Sequence, residues 1–207
     1  MEVVVSTRNK NKFKEIYRIL KDKKIKVISL EKFSHIPEVK ENGKTFNANA
    51  CKKALEIAKI TKHLTVADDS GLEVAVLNNT PGIYSARFSG PGATYEKNNE
   101  KLLTKLKGVP KSKRKARFVC CVAVADAQGI IDVVEGFYPG FILDKIKGKN
   151  GFGYDPVFYC PRLKKTFAQI SSLQKNRISH RARAFNKAKK VILRYIENKK
   201  NKKEKLL

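Results

Sequence analysis

Two hydrophobic periods share this chain. Val3-Val4-Val5 is an unbroken apolar run, as a strand buried on both faces requires, and it runs into the polar Ser6-Thr7-Arg8-Asn9. Phe13, Ile16, Tyr17 and Leu20 then recur at i, i+3, i+4 and i+7, which predicts an amphipathic helix with Asn9 as its N-cap. Residues 25–30 read as a second strand and 34–43, with Pro37, as a loop. A second helix is expected over 44–61, with Phe46, Ala50, Ala54, Ile57 and Ala58 on one face and Thr45 near its start. Leu64-Thr65-Val66-Ala67 is a short apolar strand that stops abruptly at Asp68-Asp69-Ser70-Gly71, where a turn is expected before a strand over 72–77.

Pro81-Gly82 and Ser89-Gly90-Pro91-Gly92 bracket a long loop, and 94–107 is helical. Residues 117–125 and 130–136 form two strands around Asp126-Ala127-Gln128-Gly129. A glycine-rich loop over 148–153 precedes a strand at 156–159. The last helix begins near Ile178 or Ser179, with Ala184, Ala188, Val191, Ile192 and Tyr195 as its inner stripe, and 198–205 is a frayed basic tail. Strands mixed with helices, with one hairpin and no repeat, give an α/β fold with a mixed sheet. The expected organisation is one catalytic domain over 1–197, followed by a basic tail over 198–207.

Composition narrows the class. The 207 residues, 42% hydrophobic, suffice for one well-buried core. A net charge of +26, with basic clusters at 111–117, 162–165 and 187–205, fits either a polyanionic partner or lysine-rich solvated faces. The basic residues are scattered and lack interleaved aromatics, so a nucleic-acid partner is not required. The four cysteines (Cys51, Cys120, Cys121, Cys160) show no Cys-x-x-Cys spacing, and the three histidines share no metal-ligand spacing. The start lacks a signal-peptide pattern and the longest apolar run, 119–125, is too short for a bilayer, so a reducing cytoplasmic location without a membrane is expected.

Adjacent Asp68 and Asp69 repel each other and need a compensating cation or a raised pKa; hard oxygen ligands of this kind suit Mg²⁺, and the alternative is a solvated turn. The segment Thr7-Arg8-Asn9-Lys10-Asn11-Lys12 joins a strand to a helix N-terminus, a place suited to phosphate, with Lys12 adding a full charge. It is not a Walker loop, and for this segment taken alone an ordinary Asn-capped helix is the favoured account. Glu41, alone, is a loop acid. In Gly151-Phe152-Gly153-Tyr154-Asp155-Pro156 the glycines allow close backbone approach, and the aromatics either lie flat on a base or plug the core. Ser179-His180-Arg181, with Lys175 upstream, gathers donors at a helix start; no serine elbow accompanies Ser179, which excludes a hydrolase triad.

In order along nearly the whole chain, these segments resemble the inosine/xanthosine triphosphate pyrophosphatases, the Ham1-like enzymes that sanitise nucleotide pools. The resemblance is carried by Thr7-x-Asn9-x-x-Lys12, Glu41-x-Gly43-x-Thr45-Phe46 with Asn49-Ala50, and Ala67 to Leu72. Pro81-Gly82-Ile83-Tyr84-Ser85-Ala86-Arg87, the Gly151 to Pro156 loop, Lys175 and Ile178-Ser179-His180-Arg181 complete it. It implies an elongated mixed sheet with flanking helices in two lobes around a substrate cleft, a homodimer, and Mg²⁺-dependent cleavage of a nucleoside triphosphate to monophosphate and pyrophosphate. It further implies Asp69 as general base and metal-site acid, Glu41 as metal ligand with Asp68 assisting, and Thr7, Asn9, Lys12, Lys53 and Ser70 on the triphosphate, beside Arg8, Lys10 and Asn11. Phe152, Asp155, Lys175, His180 and Arg181, with Gly153 and Tyr154 in the same loop, would hold the base. Arg8 stands where many bacterial members carry a small residue, and Lys40 where some have a second acid, leaving Glu41 without an adjacent acid. Two other readings stay open: a nonenzymatic nucleic-acid-binding protein, and the same fold acting on a modified pyrimidine triphosphate.

Overall fold

The computed structural model describes residues 1–33 and 35–204. Ser34, where the first loop was expected to begin, and 205–207, at the end of the basic tail, lie outside the described residues. The strands are β1 (Glu2–Val5), β2 (Lys26–Ser29), β3 (Leu64–Val74), β4 (Thr80–Pro81), β5 (Lys115–Asp126), β6 (Gly129–Ile142), β7 (Phe158–Cys160) and β8 (Lys165–Thr166). The helices are α1 (Lys10–Leu20), α2 (Phe46–Thr61), α3 (Tyr95–Lys105), α4 (Ser172–Ile178) and α5 (His180–Glu204). The strands form one eight-stranded mixed sheet in the order β2-β1-β3-β5-β6-β7-β8, with β4 paired to β3. The α/β class and mixed sheet read from the hydrophobic periods are therefore correct.

The chain divides into two compact units. Unit 1 comprises 1–69, 121–136 and 182–207; unit 2 comprises 70–120 and 137–181. In unit 1, β1 pairs in parallel with β2 and β3, and Val3, Val4 and Val5 are all buried, as a strand covered on both faces demands. Small residues make its close contacts: Ala50, Ala54 and Ala58 of α2 pack on Ala67 of β3 and on Cys121, Ala123 and Ala125 of β5. Burial pushes the Cys121 thiol up to about 12, with Glu135 and Cys51 adding to the rise, so it behaves as a small hydrophobe. Unit 2 has an aromatic core instead, in which Phe118 lies 4.5 Å from Phe158 and 5.7 Å from Phe167.

Four expectations need correction. The Asp-Asp-Ser-Gly segment is not a turn: β3 runs unbroken from Leu64 to Val74, and 75–77 is a short 3-10 turn rather than strand. Pairing with β1 at the start of β3, with β4 at its end and with β5 as its other sheet neighbour overrides local turn propensity. The long loop after Pro81 contains a 3-10 helix, Gly82–Arg87. A separate helix, α4, precedes the last one; its capping box between Ser171 and Gln174 is legible in Ser-x-x-Gln. Finally, the tail is helical to Glu204 rather than frayed. Among the described residues no helix is long and apolar enough to cross a membrane.

Candidate active site

In unit 1 the register of β1 against β3 ends at Val5 and Val66, followed by one further bond from the Ser6 amide to the Val66 carbonyl at 2.8 Å. β3 continues past that end and carries Asp68 and Asp69, the region of an open α/β sheet where ligands bind. Successive strand residues point to opposite faces, and the two carboxylates find different partners. Asp68 Oδ2 meets Lys12 Nζ of α1 at 3.1 Å, while Asp69 Oδ2 accepts from Asn49 Nδ2 of α2 at 2.9 Å. Alternation relieves much of the repulsion that adjacency in sequence suggested.

Lys53, on α2, joins the cluster: its ammonium donates to Glu41 Oε1 and, at 2.6 Å, to the Asp68 carbonyl. Burial opposes its charge, but Asp68, Glu41 and Asp69 outweigh that and hold the ammonium above its ordinary pKa. Burial pushes the Asp69 carboxyl up from the usual carboxylate range; Lys53 and Asn49 pull the other way, and Glu41 adds to the rise. Asn9 caps α1 as expected, its Oδ1 accepting from the amides of Asn11 and Lys12 at 3.0 Å each, and its own amide donates to Thr7 Oγ1 at 3.2 Å. Those two helix amides are thereby committed to a side chain, which leaves Lys12 as the main cationic element of that segment facing the carboxylates. Arg8 donates to the Ile36 carbonyl, and Lys10 and Asn11 are exposed on the first turn of α1.

Unit 2 builds a different environment. Gly151 has φ +76°, and a Cβ there would overlap the Asp155 carboxylate, so the turn requires glycine. Asp155 Oδ2 accepts from the Phe152 amide at 2.8 Å and from Lys175 Nζ at 2.5 Å, a pair with both side chains at most 3% exposed. Lys175 Nζ also lies 4.5 Å from the centre of the Phe152 ring, and the Arg181 guanidinium lies 5.5 Å from it. His180 is buried and stacks on Phe118 at 4.5 Å, with 12° between the ring planes. Ser179, also buried, closes α4 through its amide on the Lys175 carbonyl at 2.9 Å. Ser70, the first residue of unit 2, is half-buried on β3.

Tyr154 does not share the role of its neighbours. Its ring is in the core and its hydroxyl donates to the Ser85 carbonyl at 2.9 Å, so it secures the loop from below. Four supporting residues were given no role by the sequence reading. Asn49 holds Asp69; Asn99 donates to the Gly153 carbonyl at 2.9 Å; Asn98 donates to the Ala86 carbonyl at 3.1 Å; Tyr95 meets Phe152 with ring centres 6.0 Å apart. The signal was available for Asn98 and Asn99, which share the buried side of α3 with Leu102.

The unit 1 donors suit a hard divalent cation. Three carboxylates, Glu41, Asp68 and Asp69, face two ammonium groups, Lys12 and Lys53, leaving an excess negative charge. Among the described residues no three His, Cys, Asp or Glu side chains close on one point.

Residues 3–191 match the Ham1 family. The chain belongs to the Ham1 family. It is 48% identical over 194 residues to the dITP/XTP pyrophosphatase of Desulforamulus reducens, covering 94% of this chain and 96% of that one. The dITP/XTP pyrophosphatase of Clostridium perfringens is 46% identical over 192 residues, covering 90% and 94%. The solved Ham1 protein of Staphylococcus aureus superposes with a TM-score of 0.83 at 41% identity, covering 93% of this chain and 98% of that one. A HAM1 protein from Coxiella burnetii gives 0.85 at 38%, covering 94% and 99%. These Ham1 structures share the mixed α/β fold described above.

Proposed function

We propose that this Ham1 protein is a nucleoside-triphosphate pyrophosphohydrolase that removes non-standard purine nucleotides (ITP, dITP, XTP and dXTP) from the nucleotide pool, releasing the monophosphate and pyrophosphate. The observation that carries this reading is Asp69, a buried carboxylate pinned through one oxygen and set among Lys12, Lys53, Asp68 and Glu41. The curated relatives that share most of the chain at 46–48% identity are named dITP/XTP pyrophosphatases, which supports the same substrates here.

Pyrophosphate leaves when water attacks the α-phosphorus. Asp69 takes the proton from that water, and its elevated pKa brings it closer to the proton affinity a general base needs. Lys12 and Lys53 balance phosphate charge, while Thr7, Asn9 and Ser70, with Arg8, Lys10 and Asn11 nearby, fix the position of the triphosphate. Glu41 and Asp69 would hold Mg²⁺, with Asp68 assisting from the Lys12 side; the bound ion supplies charge neutralisation and orientation at the phosphates. Phe152, Gly153, Asp155, Lys175, His180 and Arg181 hold the base. Donors from His180 or Arg181 suit the 6-oxo group of hypoxanthine and xanthine, whereas the 6-amino group of adenine would face them unpaired, at about 1–3 kcal/mol per group. The enzyme works as a homodimer in the cytoplasm.

The test is an incubation of purified protein and Mg²⁺ with ITP, XTP, GTP and ATP, resolving nucleotide products from phosphate and pyrophosphate. Rapid IMP and XMP with pyrophosphate, and slow turnover of GTP and ATP, are expected. A diphosphate product with free phosphate would exclude attack at the α-phosphorus. Turnover of modified pyrimidine triphosphates alone would reassign the base, and binding of polynucleotides without turnover would replace the enzyme reading altogether.

A further inference from the structure

Asn49 stands in the segment after Glu41 without an assigned role, yet both ends of its side-chain amide are hydrogen-bonded. It is 1% exposed on the first turns of α2. Its Oδ1 accepts from the Gly43 amide at 2.8 Å, and its Nδ2 donates to Asp69 Oδ2 at 2.9 Å. A backbone amide can only donate, so Gly43 dictates which end of the side-chain amide carries the oxygen. The other end then presents its N–H to Asp69 Oδ2. One amide therefore reads both neighbours without ambiguity.

The approach of Gly43 is equally constrained. A Cβ at that position would lie 2.7 Å from Asn49 Oδ1 and 2.9 Å from the Ala48 Cβ, closer than real atoms approach. The loop thus rests directly on the Asn49 side chain, and Glu41 lies two residues before Gly43. Through one side chain, the place of the acid loop and the rotation of the Asp69 carboxylate are linked.

We propose that Asn49 is a positioning residue of the reaction, fixing which carboxylate oxygen Asp69 turns toward water and tying that orientation to the loop that carries Glu41. This rests on the reading of Asp69 as general base. The informative substitution is Asn49→Asp, which is isosteric and still accepts from the Gly43 amide but sets a second carboxylate against Asp69 Oδ2 in place of the donor. The loop anchor survives, so a loss of turnover reports on the Asp69 contact and not on the loop.

Turnover of ITP by Asn49→Asp is expected to fall about 100-fold with KM changed by less than about threefold, the signature of misplaced reacting groups rather than lost binding. The Kd of a nonhydrolysable α,β-methylene ITP, measured without metal by calorimetry, should stay at the parent value. Gly43→Ala, which presses on the amide from the loop side with Asn49 in place, should lower kcat in the same sense. The proposal is overturned if Asn49→Asp keeps near-parent kcat while Asp69→Asn is inactive, or if the loss lies in KM and Kd alone. Should Asn49→Asp not fold, near-parent kcat in Gly43→Ala overturns it. Near-parent activity in Asp69→Asn would instead remove the general-base reading itself, a result distinguishable from the others.

Discussion

In unit 1 three carboxylates face two ammonium groups near the end of β1, whereas in unit 2 a single carboxylate, Asp155, is enclosed with two cations, Lys175 and Arg181, against the ring of Phe152. The first cluster carries excess negative charge and keeps Lys12 19% exposed; the second carries excess positive charge, with each of its charged side chains at most 3% exposed. An electronegative, partly wet cluster suits a cation and a water to be activated. A dry, electropositive and aromatic cluster suits a flat ligand that presents acceptors. The supporting cores follow suit, small aliphatic side chains in unit 1 and aromatic rings in unit 2.

The sharpest break of this comparison is Asp69→Asn, which should cost turnover by orders of magnitude while thermal denaturation shows an intact fold. Normal activity would move the chemistry away from unit 1. Next is Lys175→Met: it removes the ammonium paired with the buried Asp155 carboxylate and should destabilise the protein by about 3–5 kcal/mol in chemical denaturation. Lys12→Met, at a partly exposed pair, should cost clearly less. If the two variants were equally stable, the contrast in burial would have no energetic meaning. His180→Ala is expected to lower the preference for ITP over ATP by about 10- to 100-fold, the equivalent of one unpaired buried group. An undiminished preference would take base recognition from His180.

The smallest effect should come from Asp126, far from either cluster in role. Burial raises its pKa, but the Tyr195 hydroxyl at 2.7 Å and the amides of Gln128 and Gly129 outweigh that and leave it below the ordinary value. A depressed folded pKa means the stabilisation is present above the ordinary carboxylate pKa and is lost as pH falls through the folded value. Asp126→Asn should therefore lower stability at neutral pH by about 1 kcal/mol or less, after solvent screening, and the difference from the parent should vanish once the pH falls below the folded pKa. A difference that persists in acid would show that the loss is not electrostatic.

Much of this molecule was legible locally. Asn9, Thr45 and Thr94 each precede a helix and each caps it in the structure, because a short polar side chain satisfies orphan amides whatever surrounds it. Val3-Val4-Val5 and 119–125 had to be buried strands, since their apolar runs leave no polar face. The ordered motifs, from Thr7 to Arg181, pointed to the Ham1 family. Other features depended on residues distant in sequence. A turn at Asp68-Asp69-Ser70-Gly71 was the sound local expectation, and pairing with β1, β4 and β5 makes a continuous strand of it. Tyr154 and Phe152 are separated by one residue, yet one hydroxyl bond to Ser85 puts the first in the core, while Lys175 and Arg181 flank the second. The sequence by itself determined most of the helices and buried strands and the family, because those depend on periodicity, side-chain type and the order of motifs. The tertiary structure decided which carboxylate oxygen each cation or amide holds, because that depends on where strand alternation and helix packing direct side chains as far apart in sequence as Lys12 and Asp68.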